Sequence, residues 1–154
     1  MKKITFLSVL FVGMLFTSCN NDDDSSKNNN DGQVDATELV NTKWERFKEG
    51  FRIQGNETLE DYPHAAGCSK DYIEFLEDGI YKYVVYDGTN DCNEVIRTKF
   101  FEASGNTLTV GSEGVYTTSR IEVLSDTEMK TTTIYSNQPG TSPTYKIETY
   151  KRLN

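Results

Sequence analysis

Alternating apolar and polar residues recur along this chain from about residue 43 to residue 152, and they constrain its fold more than any other feature. Around Ile121 and Val123, for example, every second residue is apolar. A period of two places successive side chains on opposite faces, so it predicts strands with one buried face. Eight strands are predicted, at 43–53, 71–77, 80–87, 94–102, 107–110, 115–124, 128–135 and 144–152.

The connections between these segments alternate in length. Short turns with Gly, Asn or Asp are predicted at 77–79, 103–106 and 125–127, where hairpins favour such residues. Longer connections fall between them, at 54–70, 88–93, 111–114 and 136–143. In an antiparallel meander successive connections lie at opposite ends. The pattern therefore predicts a bottom closed by short turns and an open mouth surrounded by longer loops.

The N-terminus has the order of a secretory signal. Lys2 and Lys3 precede an apolar run from Ile4 to Phe16, and Thr17-Ser18-Cys19 leads into a polar tract. This order resembles the lipobox of bacterial lipoproteins, which implies removal of a signal peptide at 1–18 and lipidation of Cys19. The alternative is an uncleaved transmembrane anchor, but the run is shorter than the ~20 residues that a spanning helix needs.

The segment that follows the cysteine has almost no apolar residues. Together with Cys19 it forms a predicted disordered linker at 19–36, because so polar a stretch cannot offset its chain entropy by burial. Its acidic start also resembles the export signals of some surface lipoproteins. We therefore expect attachment to the outer membrane through lipidated Cys19, either on the periplasmic face or on the cell surface.

Charge and cysteine number limit the mature domain at 37–154. Removal of 1–18 changes the formal charge from −8 to −10, which argues against binding nucleic acid, because that needs basic patches. Lipidation of Cys19 leaves Cys68 and Cys92, and an even pair in an oxidising compartment predicts a disulfide. A hairpin that turns near Asp78 would bring both cysteines to the mouth.

Eight antiparallel strands, a long first connection and one predicted helical turn at Thr37–Val40 resemble the lipocalin superfamily, whose fold is an up-and-down β-barrel. Trp44 in the first strand and Arg152 in the last hold the places of a lipocalin Trp and Arg that pack together and close the barrel bottom. The segment 72–81 also resembles a hairpin of lipocalin-like domains in bacterial lipoproteins. The resemblance implies an all-β, eight-stranded antiparallel barrel; an ordinary core Trp and surface Arg are the alternative for this pair.

Residues for catalysis or metal binding are few. His64 is the only histidine, and no Gly-x-Ser-x-Gly elbow accompanies it. A Cys-His nucleophile would need the Cys68 thiol that the predicted disulfide uses. We therefore expect neither an enzyme, nor a metal site, nor a cofactor.

Two hypotheses for function remain. If the barrel is hollow, it binds a small amphipathic or aromatic molecule in or at its mouth, with Tyr62, His64, Tyr86 and Tyr116 as the candidate ligand-binding residues. If large side chains fill it, the protein is a non-enzymatic accessory or protein-interaction module of an envelope complex. The residues large enough to fill it are Phe75, Tyr83, Phe100 and Phe101.

Overall fold

A computed structural model describes residues 36–154 of the chain. The predicted signal peptide at 1–18, the lipidation site Cys19 and all of the linker before residue 36 lie outside the described residues.

Nine strands account for the fold of this part, together with short 3₁₀ turns at Ala36–Glu38 and Glu77–Gly79. The strands are β1 (Thr42–Ile53), β2 (Asn56–Asp61), β3 (Tyr72–Phe75), β4 (Ile80–Asp87), β5 (Asn93–Ser104), β6 (Thr107–Ser112), β7 (Val115–Leu124), β8 (Glu128–Ser136) and β9 (Thr144–Leu153). The predicted all-β class is confirmed.

An antiparallel sheet closes on itself through β1. One edge of β1 pairs with β9 along nearly its whole length. Its other edge pairs with β3 over Thr42–Glu45 and then with β2 from Lys48 onwards. Strands β1 and β3 to β9 thus form the predicted closed eight-stranded barrel, and β2 is an additional outer strand.

The predicted connection at 54–70 was wrong in one respect, because β2 lies within it. Gln54 and Gly55 both have positive φ, of 49° and 84°, as a tight hairpin turn after β1 requires. Leu59 is the only apolar residue of β2, so the strand shows no buried stripe in the sequence. The free upper edge of β1 supplies its hydrogen bonds instead.

Large apolar side chains fill the bottom of the barrel, which is the end with the turns 77–79, 105–106 and 125–127. Trp44, Phe75 and Met129 are fully buried, and the Phe75 ring packs edge-on against Phe101 at 4.9 Å. Burial of each such side chain stabilises the fold by about 1.5–3 kcal/mol. Leu39, just after the first 3₁₀ turn, is also fully buried in this cluster. The chain therefore enters the barrel from below and plugs its lower end.

The two residues expected to close the bottom are indeed neighbours. Trp44 pairs with Arg152 across β1 and β9, and the Arg152 guanidinium lies 5.6 Å from the centre of the indole ring. The indole N–H donates to the Thr42 hydroxyl at 2.7 Å, so its polar group is satisfied inside the core. Arg152 also lies 3.7 Å from Asp126 in the turn between β7 and β8.

The mouth, at the opposite end, is splayed into hairpins. Strand β4 pairs with β5 up to Asp87, whereas β6 pairs with β5 only over 100–104. Likewise β8 pairs with β7 only from Ser119 downwards. The described barrel is therefore continuous below and separated into paired ribbons above.

The predicted disulfide is confirmed at this end. Cys68 and Cys92 are joined with a Cα–Cα distance of 5.4 Å. The bond attaches the connection between β2 and β3 to the upper end of the β4–β5 ribbon.

The structure also corrects one of the expected filling residues. Phe75 and Phe101 are buried, and Tyr83 packs against the core. Phe100, in contrast, is 63% exposed because it alternates with Phe101 and so points outwards. Two consecutive phenylalanines in a strand cannot both face the interior.

Candidate functional site at the barrel mouth

A charged layer separates the apolar bottom from the mouth, and Arg46 is its centre. Arg46 lies two residues after Trp44 on the same inward face of β1, and it is 9% exposed. Its guanidinium donates to the hydroxyl oxygens of Tyr62 at 2.8 Å and Tyr83 at 2.7 Å. It also pairs with the carboxylates of Glu148 and, at 3.3 Å, Glu49. Both terminal nitrogens of the guanidinium thus meet two oxygen atoms each, which compensates the burial of this charge.

The pKa values of this layer show which groups stay charged. Burial alone would lower the pKa of the Arg46 guanidinium, but Glu148 and neighbouring tyrosines outweigh it and raise the pKa. Burial, assisted by the hydrogen bond with Tyr83, raises the pKa of the Tyr62 hydroxyl. Arg46 is therefore a permanent cation, and Tyr62 a neutral hydroxyl, at any physiological pH.

A cleft of about 430 Å³ lies above this layer, between β1, β2 and the inner face of β9. The residues that line it are Glu49, Gly50, Phe51, Thr58, Glu60, Asp61, Pro63 and Lys146. The Lys146 ammonium lies 3.4 Å from Glu49 and 3.1 Å from Glu148, so it continues the ion pairs of the Arg46 layer upwards. The cleft therefore has a polar floor.

An aromatic pair forms part of the rim. Phe51 faces inwards on β1, and its ring meets Tyr135 of β8 edge-on with 5.1 Å between centres. Both rings are largely solvent-exposed. Tyr135 sits at a β-bulge, where the register with β9 shifts between Ile134 and Ser136. The rim thus offers apolar surface next to the charged floor.

Strand β2, which forms one wall of the cleft, is held from outside by four charged side chains. Arg52 donates to both Glu57 of β2 and, at 2.6 and 2.7 Å, to Glu122 of β7. Lys130 of β8 binds Glu57 at 2.9 Å and lies 3.6 Å from Glu122. The hydrogen bonds from Arg52 lower the pKa of Glu122 to about 2. Lys130 and then Arg52 lower the pKa of Glu57.

Gly50 lets β2 approach β1 closely. A Cβ at this position would overlap the carbonyl oxygen of Thr58. Only glycine has no Cβ, so the curvature that brings β2 over the barrel depends on this residue.

His64 is placed beside the site but is used for structure. Its Nε2–H donates to the Arg46 carbonyl oxygen at 2.8 Å, and its Nδ1 accepts the Asp71 N–H at 2.9 Å. Both ring nitrogens are thereby occupied, with the imidazole in the Nε2–H form. His64 fixes the backbone of β1 at Arg46, directly before the bulge, and it presents no free nitrogen to a ligand.

Of the four residues expected at the ligand site, only Tyr62 and His64 are brought together, edge-on with 4.9 Å between ring centres. Tyr62 lies in the Arg46 layer, whereas Tyr86 and Tyr116 lie on the outer face of the wall. Tyr86 pairs with Glu94 there, and the Tyr116 ring covers Gly111. The expected positions near the mouth were right, but the strand parity that turns these two side chains outwards was not assigned.

The central residues of the site were not predicted from the sequence. Arg46 and Glu148 carried a usable signal, because each lies two residues from a buried aromatic, Trp44 or Tyr150, and so shares its inward face. Phe51 carried none. The bulge between Arg46 and Lys48 reverses the parity of β1, so Phe51 faces inwards only because of it.

Within residues 36–154 no three His, Cys, Asp or Glu side chains are grouped so that they could hold a metal ion. No helix among the described residues has the length and apolar character needed to cross a membrane. Neither protein-family models nor curated proteins match this chain. Its function must therefore be argued from the geometry of the mouth.

Proposed function

We propose that this chain is a lipocalin-like lipoprotein, anchored through lipidated Cys19, that binds a small amphipathic or aromatic molecule at the mouth of its barrel. The cleft of about 430 Å³ is the observation that carries this proposal. Its volume lies within the roughly 300–1,000 Å³ range of small-molecule sites. The ligand would occupy the mouth alone, because aromatic side chains fill the space below Arg46.

The character of the cleft supports an amphipathic ligand. Phe51 and Tyr135 provide apolar surface at the rim. Lys146 lies at the floor, where its partly exposed ammonium forms ion pairs with Glu49 and Glu148. A ligand with an aromatic or aliphatic body and an uncharged or cationic hydrogen-bonding head could stack on Phe51 and Tyr135 while its head meets the carboxylates that line the cleft.

The position of the chain entry would set the orientation of the anchored barrel. Leu39 enters from the bottom, so a linker at 19–36 would leave the barrel opposite the mouth. In this arrangement the mouth faces away from the membrane. More than one acyl chain on Cys19 would make attachment stable, since each buried CH₂ contributes about 0.8 kcal/mol.

Fractionation of the cells of origin tests the anchor. We expect the chain in the membrane fraction, with an acylated N-terminal Cys19 in its mass spectrum. The Cys19→Ser variant should move to the soluble fraction or keep its signal segment. A wild-type chain that stays in the membrane fraction with no acyl group on Cys19 would contradict lipidation and favour a transmembrane anchor.

Binding of the uncharged aromatic amine N-phenyl-1-naphthylamine tests the mouth site. We expect fluorescence titration to saturate at one site per chain, and Tyr135→Ala to weaken binding at least fivefold. Ile134→Ala is the matched control, because Ile134 is the adjacent residue, is similarly exposed and pairs with Tyr145 on the outer face. Equal loss in both variants would contradict a site at the mouth.

The natural ligand can be sought by native mass spectrometry of the chain purified gently from its host. We expect a retained small molecule that organic extraction removes. A bare mass, with no thermal shift from lipids, aromatics or sugars, would favour the protein-interaction hypothesis instead.

A further inference from the structure

One strand of the barrel has a long free edge. β5 pairs with β4 along its whole upper half, from Asn93 to Phe100. Its other edge pairs with β6 only from Phe100 downwards, because the β6–β7 hairpin turns at 113–114. The backbone groups on that edge of 93–99 therefore have no strand partner within residues 36–154. Every residue from 93 to 100 is exposed.

A free edge of this length is a template for another strand. Its N–H and C=O groups lie in the geometry of a β-ladder, and an added segment satisfies them without rearrangement. Proteins usually protect such edges with proline, bulges, short strands or charged side chains, and of these devices the edge of β5 carries only the charges of Arg97 and Lys99. Residues 93–99 contain no proline, and their pairing with β4 runs without a register shift.

The ribbon that carries this edge is held rigid at its tip. The Cys68–Cys92 disulfide is attached at the residue directly before Asn93. Strand β5 is therefore ordered before any partner arrives, and ordering costs on binding are reduced.

The side chains along the edge define the chemistry of the partner. Arg97 and Lys99 share one face with Tyr83 and Tyr81, their partners in β4. Among the described residues neither cation has an ion pair, although the chain carries a formal charge of −8. Two unpaired cations on adjacent same-face positions favour carboxylates on the added strand.

The opposite face of the same edge is apolar. Ile96 is 52% exposed and Phe100 63%. Phe100 pairs with Gly111, and Gly111 with Tyr116, so the exposed Tyr116 ring extends this surface sideways. An added strand with apolar residues on this face would bury them against Ile96 and Phe100.

Self-pairing of this edge is unfavourable in the antiparallel register centred on residue 98. Pairing of two β5 edges, antiparallel about residues 97–99, places Arg97 and Lys99 opposite the same cations of the other copy. Like charges directly across a ladder are destabilising. The cations thus disfavour self-association and leave the edge open to an acidic strand.

We propose that the free edge of β5 at 93–99 binds an extended segment of a protein partner as an added strand, with acidic side chains beside Arg97 and Lys99 and apolar side chains on the Ile96–Phe100 face. This interaction is independent of a ligand in the mouth. It supplies a binding surface for the accessory role even where the barrel bottom is filled.

The test uses the full chain in mild detergent and a fluorescent eight-residue probe peptide of alternating glutamate and valine. We expect saturable binding by fluorescence anisotropy with a dissociation constant below about 100 µM. A peptide of the same composition with its glutamates and valines in two blocks should bind at least tenfold more weakly, because it cannot match both faces. Equal binding of the two peptides would overturn the proposal.

Backbone methylation separates strand addition from simple charge attraction. Two probes carry N-methyl groups on alternate residues, one on the odd positions and one on the even positions. Only one edge of an added strand contacts β5, so one probe should lose binding and the other should retain it. Retention by both probes would show that no ladder forms and would overturn the proposal.

Charge reversal locates the site. The double variant Arg97→Glu/Lys99→Glu should weaken binding of the peptide probe at least tenfold. It should leave binding of the uncharged dye N-phenyl-1-naphthylamine unchanged, which keeps this test distinct from that of the mouth. Lys70→Glu/Arg120→Glu is the control, since it makes the same change in net charge at exposed residues elsewhere. An equal loss in the control, or a dimer of the wild-type chain that the double variant abolishes, would contradict the proposed partner.

Discussion

The two ends of the barrel are built from the same strands but differ in burial and charge. At the bottom, Trp44, Phe75 and Met129 are fully buried and short turns close the sheet. At the mouth the inward positions are charged or exposed, and neighbouring ribbons separate. A single strand such as β1 contributes Trp44 to the first region and Phe51 to the second. Stability and surface chemistry are thus divided along the barrel axis.

The boundary between the two regions is the Arg46 layer. Polar groups that close the top of an apolar core are costly unless each is hydrogen-bonded. Here Tyr62, Tyr83 and Glu148 all bind the same guanidinium. The layer therefore separates the solvent-exposed mouth from the aromatic core.

Substitution of one phenylalanine from each region should give the largest difference in stability between the bottom and the mouth. Phe75→Ala should lower the free energy of unfolding by about 3–5 kcal/mol, because it leaves a cavity among fully buried side chains. Phe51→Ala should cost under about 1 kcal/mol, because this ring is 40% exposed at the mouth. Chemical denaturation of both variants measures the difference. Similar losses would show that the mouth contributes to the core.

Removal of the disulfide should affect the mouth and spare the bottom. Cys68→Ala/Cys92→Ala should destabilise the fold by about 3 kcal/mol, since the bond closes a loop with a sequence separation of 24. Hydrogen exchange should accelerate in the connection between β2 and β3 while amides near Phe75 stay protected. Cys19→Ala is the control and should leave the unfolding midpoint unchanged. Uniform acceleration at both ends would contradict the division.

Arg46→Met tests the boundary layer. The change keeps much of the side-chain volume but leaves the hydroxyls of Tyr62 and Tyr83 without their donor and Glu148 without its buried partner. We expect a loss of about 2 kcal/mol in the free energy of unfolding. Arg97→Met, at an exposed position, should change it by less than about 0.5 kcal/mol. Equal effects of the two substitutions would mean that the layer is not a structural boundary.

The ion pairs that hold β2 should give the smallest effect and a characteristic pH dependence. The pKa of Glu122 falls from 4.5 to about 2 on folding, so its contribution is present above pH 4.5 and is lost as the pH falls towards 2. Glu122→Gln should therefore cost about 1 kcal/mol at pH 7 and nothing near pH 2. Thermal unfolding across this range measures the difference, with Glu102→Gln as an exposed control. A pH-independent cost would exclude the charge as its source.

Local pattern was sufficient for much of the fold. The eight barrel strands follow from alternation, the bottom turns from Gly, Asn and Asp, and the confirmed disulfide from cysteine number and hairpin geometry. Strand β2 was not predicted, because its partner, the upper edge of β1, is available only where β1 continues past β3. Phe100 was misassigned because adjacent aromatic residues in a strand compete for one inward face.

The candidate site was less accessible to the same reasoning. Tyr62 was correctly placed near the mouth, and His64 lies beside it, but Tyr86 and Tyr116 turn outwards. The bulges at Phe47 and Tyr135 bring Phe51 and Tyr135 together, and a bulge reverses which residues face inwards without a clear sequence signal.

The sequence by itself determined the features that depend on neighbours along the chain: which segments are strands, where the tight turns fall, and which two cysteines could meet. Tertiary structure decided the features that depend on distant neighbours: the partners of Arg46, the outer ion pairs across β1, β2, β7 and β8, and the free edge of β5. The physical reason is that alternation specifies two faces of a strand, whereas closure, bulges and hairpin lengths decide what each face and edge meets.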